Sequence, residues 1–190
     1  MFYERDTVQV ARDLLGARLV RREGDRIISG IILETEAYRG EEDLACHCRA
    51  GRTPRTEIMY GPPGRAYVYL IYGMYWLLNI VTEEEGAPGA VLIRALEPRE
   101  GIKVIARRRE GQPRERWTDG PGKLSRALNI DGRLNGHNLC QPGPLVVGPG
   151  LQAPPDLIQA GPRIGLDSVP EPWRSKAWRF VVKYEHLQGS

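Results

Sequence analysis

The run AYVYLIYGMYWLLNIV, residues 66–81, constrains this chain more than any other stretch. It is shorter than the roughly 20 apolar residues a membrane-spanning helix needs, and Gly73 sits at its middle. A glycine between two β-rich arms marks a turn, so the stretch reads as a β-hairpin and no membrane segment is expected. Alternation puts Tyr67 and Tyr69 on one face of the incoming arm, where they read as core aromatics. Tyr72 precedes the glycine at the tip, where a large ring stays exposed unless a partner covers it.

The flanking segments extend a sheet around this hairpin. RDTVQVARDLLG offers Asp6 and Thr7 as caps, places Val8, Ala11, Leu14 and Leu15 at helical spacing, and stops at Gly16. ARLVRREGDRIISGIILETEAY holds two β-rich segments joined by EGD, a second hairpin with a long second strand. RGEEDLACHCRAGRTPRTEIMYGPPG is rich in glycine, proline and charge and reads as a long ordered loop. AVLIRALEP is an apolar strand interrupted by Arg94. GIKVIARRRE reads as a helix, TDGPGKLSRALNI as a Gly-Pro-Gly loop feeding another, residues 131–172 as a Gly/Pro-rich region with short strands, and AWRFVVKY as a closing strand. Strands outnumber helices without β-α alternation, which predicts an α+β fold with an antiparallel sheet. A length of 190 residues fits one domain, 1–190, with a substantial single core.

A net charge of +3 permits a polyanionic partner without requiring one. Its cations are unusual in kind: only four are lysines, Lys103, Lys123, Lys176 and Lys183. Arginine supplies the rest and suits bidentate contacts to phosphate or carboxylate. ARRREGQPRER is a basic cluster and DGPGKL a glycine-rich helix start, either of which could meet phosphate, although charged helix faces are more often simply solvated. Three cysteines without disulfide-like spacing, and no signal peptide ahead of the first helix, make a reducing cytoplasm the expected setting.

Chemistry is concentrated in LETEAYRGEEDLACHC, residues 33–48. Strand alternation sends Ile31, Leu33, Thr35 and Ala37 one way and Ile32, Glu34, Glu36 and Tyr38 the other. Two carboxylates and a phenol on one face make an acid-base site if the face is partly buried, and a wet face otherwise. A guanidinium inside VLIRAL is costly to bury alone, so Arg94 calls for a carboxylate on a neighbouring strand, either Glu36 or Glu34. Such a pair can hold a water between them, or it can be a structural ion pair. Glu41, Glu42 and Asp43 read as solvated loop charges. A zinc site would draw on Cys46, His47 and Cys48 with His137 and Cys140, but Cys-His-Cys in succession points its side chains apart and no C-x-x-C spacing is present. Zinc-deaminase, nucleophile-elbow, P-loop and dinucleotide fingerprints are absent.

Taken in order, ETEAYRGEEDLACH, TPR, YVYLIYGMYWLLNI, LIRALEP and GPGKL resemble the alkyladenine (3-methyladenine) DNA glycosylase family, and the likeness runs from ARDLLG to the closing strand. The resemblance implies a single β-rich α+β domain, a curved antiparallel sheet flanked by short helices with a protruding β-hairpin. It implies an enzyme that flips alkylated or deaminated purines out of double-stranded DNA and hydrolyses the N-glycosidic bond, as a monomer, with no metal and no redox cofactor. Glu36 corresponds to the family's general base and Arg94 to the arginine that helps hold the attacking water, with the main-chain carbonyl of Ile164 as the third contact. Tyr38, His47 and Tyr69 match the residues that sandwich the flipped base, and Asn79 the asparagine that crowds the 2-amino group of guanine. Tyr72 matches the aromatic that fills the gap left in the stack.

Two departures stand out. Cys46 and Cys48 flank His47 where small or polar residues are expected. The chain also begins at the domain itself, which points to a bacterial member, cytoplasmic and nucleoid-associated. Residues 131–162 match least well. Other classes remain open: a lesion-binding protein without catalysis, a glycosylase/lyase using Lys123 as its amine, and a zinc-dependent hydrolase.

Overall fold

A computed structural model describes residues 2–188. Its elements are α1 (Thr7–Asp13), β1 (Arg18–Glu23), β2 (Arg26–Arg39), β3 (Ala66–Ile71), β4 (Tyr75–Val81), β5 (Gly89–Glu100), α2 (Ile102–Arg108), α3 (Pro121–Leu128), β6 (Leu145–Gly148), β7 (Gln159–Gly161) and β8 (Arg179–Val181). The strands pair antiparallel in the order β3-β4-β5-β2-β1-β6, and the sheet is curled, giving the α+β class expected. Among the described residues no helix is long and apolar enough to cross a membrane.

Local chemistry accounts for the starts and stops. Asp6 caps α1 by accepting the Gln9 N–H at 3.0 Å, and Val10, Ala11, Leu14 and Leu15 turn inward. Gly16 ends the helix with φ +85°, and a Cβ there would meet the Leu151 carbonyl oxygen at 2.1 Å, so only glycine fits. α3 opens on Pro121 and closes on a left-handed Asn129. At the tip of the β3–β4 hairpin, Tyr72 and Gly73 both take left-handed conformations, φ +52° and +68°, the geometry of a tight hairpin turn.

β2 is the axis of the molecule. One edge pairs with β5 along most of its length; the other pairs with β1 over Arg26–Ile31 and then with β8 over Glu34–Glu36. The closing strand is therefore shorter than AWRFVVKY suggests, because β8 fills only the slot that β1 leaves open. Three irregularities interrupt the β2–β5 ladder: Ser29 pairs with Glu100 and Gly30 with Pro98, which leaves Arg99 unpaired; Ile32 pairs with Leu96 and Glu34 with Ala95, which leaves Leu33 unpaired; and Thr35 pairs with Ile93, which leaves Arg94 unpaired. A bulge re-aims the side chains beyond it. Ile32 consequently lies in the main core together with Ala37, and Thr35 Oγ1 donates to the Ala11 carbonyl of α1 at 2.7 Å. The simple alternation that grouped Ile32 with Glu34 is corrected by Leu33.

α1 packs on β2 and β5, and α3 on β4 and β5, closing the main core. The long loop, 40–65, builds a second, smaller core from Cys46, Cys48, Met59 and Tyr60 against Tyr67, Val81 and Ala90. Cys46 and Cys48 are thus apolar filling, and the Cys48 thiol donates to the Gly40 carbonyl at 3.0 Å. Asp43 overturns its reading as a solvated charge. It is fully buried against Arg163, which reaches it from 120 residues away with two guanidinium nitrogens. A carboxylate in a surface-like charge run stays buried here because a matching cation is buried with it.

Candidate active site

The bulges on β2 and β5 bring Glu34, Glu36 and Tyr38 together with Arg94. Glu36 is completely buried, and both of its carboxylate oxygens accept hydrogen bonds. Oε2 accepts from the Tyr38 hydroxyl at 2.8 Å and from Arg94 at 3.3 Å; Oε1 accepts the Ile164 amide N–H at 2.7 Å. Arg94 also donates through Nε to Glu34 Oε1 at 3.0 Å. Both carboxylates offered by the sequence therefore hold the arginine. Burial raises the Glu36 pKa, while Arg94, the Ile164 amide and the Tyr38 hydroxyl pull it back down. On balance the Glu36 pKa stays raised, burial outweighing the groups that stabilise its charge.

Tyr38, Arg94 and Ile164 face a cleft of about 480 Å³, whose walls also include His47, Tyr67, Tyr69 and Asn79. A space of that size falls within the range of small-molecule pockets. His47 stands edge-on to Tyr69, ring centroids 4.6 Å apart, and Tyr67 lies 5.1 Å from Tyr69. Arg55 covers the Tyr69 ring at 5.1 Å and reaches His47 Nε2 at 3.5 Å, while Nδ1 lies 2.9 Å from the Tyr67 hydroxyl. Arginine can only donate, so the ring proton belongs on Nδ1. Asn79 is buried, its amide donating to the Tyr67 carbonyl at 3.2 Å. Tyr72 borders the cleft mouth and is 84% exposed. Gly120 and the first turn of α3, Pro121–Lys123, also line the cleft, with Lys123 paired to Asp119 at 2.8 Å.

Burial, reinforced by Arg55 and Arg49, pushes the His47 pKa down to about 4. An unfolded histidine binds a proton near pH 6.5. The stability this side chain contributes is therefore complete above that value and is lost as pH falls toward 4. Glu36, with its folded pKa raised, works in the opposite sense: its contribution is present at low pH and is lost as pH rises through the folded value. Urea unfolding of His47→Gln across pH 4–6.5 should show a flatter pH dependence than the parent.

All eight site residues named from the sequence, Glu36, Tyr38, His47, Tyr69, Tyr72, Asn79, Arg94 and Ile164, thus lie on this cleft or directly behind it. The observed Ile164 contact is its N–H on Glu36, whereas the resemblance names its carbonyl. Sequence reasoning left Tyr67 in the core and passed over Arg55 and Arg163. Alternation from Tyr69 signals Tyr67, and Arg55 stands in the quoted TPR, but nothing local marks Arg163. The zinc alternative loses its ligand set: Cys46 and Cys48 are core residues, His137 Nε2 is bonded to the Leu145 carbonyl at 2.8 Å, and among the described residues no group of three or more His, Cys, Asp or Glu could hold a metal ion.

A curled α+β sheet thus carries a buried carboxylate–arginine pair behind an aromatic-walled cleft, an arrangement of enzyme-like character. Residues 1–186 match the family described as methylpurine-DNA glycosylase, and the chain belongs to it. DNA glycosylases are hydrolases of N-glycosyl bonds, and membership places this chain among them. Relatives include a protein from Myxococcus xanthus, 48% identical over 182 residues that cover 96% of this chain and 88% of the relative. Another, from Methanocella arvoryzae, is 49% identical over 185 residues covering 96% and 90%. A third, from Legionella pneumophila strain Paris, is 48% identical over 182 residues covering 96% and 92%. All three carry the provisional name 3-methyladenine DNA glycosylase.

Proposed function

We propose that this chain, a monomeric single domain working without metal or redox cofactor, flips alkylated or deaminated purines out of duplex DNA and hydrolyses their N-glycosidic bond. The observation that carries the reading is Glu36: a wholly buried carboxylate, raised in pKa, held by Arg94, Tyr38 and the Ile164 amide behind an aromatic cleft of purine size. Water held by Glu36 and Arg94 attacks the sugar C1′ and gives its proton to the Glu36 carboxylate. The C1′–N bond breaks and its electron pair leaves with the base. Alkylation at N3 or N7 makes the purine cationic, so it departs neutral; an uncharged deaminated base must also take up a proton. The sugar passes through an oxocarbenium-like state that the carboxylate stabilises electrostatically.

The walls supply selectivity. Extrusion costs a few kcal/mol, less for a weakly paired lesion, and contacts with Tyr38, His47 and Tyr69 return about 1–3 kcal/mol per stacked aromatic. His47, neutral at physiological pH, adds no repulsion toward a cationic purine. Asn79, fixed by the Tyr67 carbonyl, crowds the position of a guanine 2-amino group.

Tyr72 is the residue that fills the vacated stack. Holding a non-glycine residue at φ +52° costs about 1–2 kcal/mol, and its exposed ring recovers little of that in the free protein. Tyr72→Gly should raise stability by about 1 kcal/mol while weakening lesion-duplex binding about tenfold; thermal unfolding and fluorescence anisotropy measure the two. The reading itself is tested by single-turnover excision from duplexes each carrying 3-methyladenine, 7-methylguanine, ethenoadenine or hypoxanthine. Release of at least one base is expected; tight lesion binding without release of any would make the protein a non-catalytic binder.

A further inference from the structure

Glu34 and Arg179 take no part in the scheme above, yet both are tied to it. Arg94 Nε donates to Glu34 Oε1 at 3.0 Å, and Arg179 donates to that same oxygen at 3.0 Å. A second Arg179 nitrogen, Nε, donates to the Pro162 carbonyl at 3.0 Å, two residues before the Ile164 amide that holds Glu36. The side chains form a row of alternating charge, Arg179, Glu34, Arg94, Glu36, whose exposures are 30%, 14%, 12% and 0%. With all four ionised the charges cancel, and the row runs from solvent to the buried carboxylate.

We propose that Glu34 and Arg179 are positioning residues for base release: Glu34 grips the Nε edge of Arg94 so that its outer nitrogens face Glu36 and the cleft, and Arg179 sets how much of the Arg94 charge Glu34 draws away from Glu36. This inference rests on the reading of Glu36 as the general base. Two geometric facts support it. Arg94 sits at a bulge, and its guanidinium is held by two side chains, Nε by Glu34 and Nη1 by Glu36, so loss of the Nε contact leaves the fork hinged on Glu36 alone. Arg94 also lies nearer Glu34 than Glu36, 3.0 Å against 3.3 Å, so the charge reaching Glu36 depends on what else Glu34 is paired with. The directions agree: Arg94 lowers the Glu36 pKa and Glu34 raises it.

Other groups face Glu36 and stay constant through the test. Tyr38 on β2 donates to it, Tyr69 on β3 lies within its field, the Ile164 amide holds its other oxygen, and Arg163 stands behind the Tyr38 ring. Only the Glu34 and Arg179 charges are varied.

Single-turnover release of 7-methylguanine from a duplex is measured against pH, since that base is already cationic and the acidic limb then reports the catalytic carboxylate. Glu34→Gln leaves two cations against Glu36 and should move the limb down by about one pH unit. Arg179→Gln leaves Glu34 free to compete for Arg94 and should move it up by a similar amount. Arg179→Lys, which keeps the charge, should restore the parent limb. The double variant Glu34→Gln/Arg179→Gln has zero net charge again and should return the limb to its parent position with a plateau about tenfold lower, because the grip on Arg94 is lost. A purely structural role would lower plateaus without opposite shifts. Thermal unfolding confirms that each variant is folded. If Glu36→Gln abolishes release and both single variants leave the limb unmoved, or shift it in one direction, the inference is overturned and the general-base reading survives. Undiminished release by Glu36→Gln overturns both.

Discussion

Glu36→Gln will bind a lesion duplex as the parent does and release its base at least about 10³-fold more slowly under single-turnover conditions. General-base catalysis alone is worth about 10²–10⁴-fold, and in the proposed mechanism the same buried carboxylate also stabilises the developing sugar cation. The substitution is nearly isosteric. The amide oxygen can still accept the Ile164 N–H or the Tyr38 hydroxyl, and Arg94 keeps its contact with Glu34, so the walls that receive the base stay in place. Stability should not fall, since the change removes a buried group whose ionised form is disfavoured by burial. Unaltered excision would sink the mechanism. A glycosylase/lyase would behave differently again: its amine must be neutral, whereas Lys123 is ion-paired with Asp119 at the cleft rim. Borohydride should therefore trap no enzyme–DNA adduct.

What could be read from the sequence follows the range of the interaction involved. Gly73 between two apolar arms announced the β3–β4 hairpin, because turn chemistry is local. Asp6 and Gly16 bounded the first helix for the same reason. Period-two alternation placed Glu34, Glu36 and Tyr38 on one face, yet it assigned Ile32 to that face as well. The bulge at Leu33 is a property of the β2–β5 pairing and leaves no mark on either strand alone. Arg94 was legible in part, since a guanidinium within an apolar strand demands a carboxylate, although only the fold shows that Glu34 and Glu36 share it. Asp43 was misread because its neighbours Glu41 and Glu42 suggest solvent and its partner lies at position 163. Cys46 and Cys48 suggested metal for want of a visible second core; once Met59, Tyr60 and Tyr67 close around them they are packing.

Asp43→Ala should cost about 3–5 kcal/mol of the roughly 5–15 kcal/mol that holds a domain together. Both partners of the Asp43–Arg163 pair have fully buried side chains, so the truncation strands a guanidinium in the interior. Water cannot readily replace what is lost: Asp43 also accepts the Ala45 N–H at 3.0 Å and the Arg39 N–H at 3.3 Å, fixing the turn into the 40–65 loop. Arg163 in turn donates to the carbonyls of Ala37 and Trp173 and stacks on Tyr38 and Trp178, at 4.7 and 5.1 Å. The pair therefore ties the strand segment between Glu36 and Tyr38 to the loop that delivers His47, and excision should fail at temperatures where the parent still works. Urea denaturation of Asp43→Ala, Arg163→Met and the double variant Asp43→Leu/Arg163→Met measures the effect. Removing both charges together should cost less than removing the carboxylate alone, because no unpaired ion is left behind. A loss below about 1 kcal/mol in Asp43→Ala would place the pair in the class of exposed ion pairs and leave the anchoring of the His47 loop to the Cys46–Cys48–Met59 core.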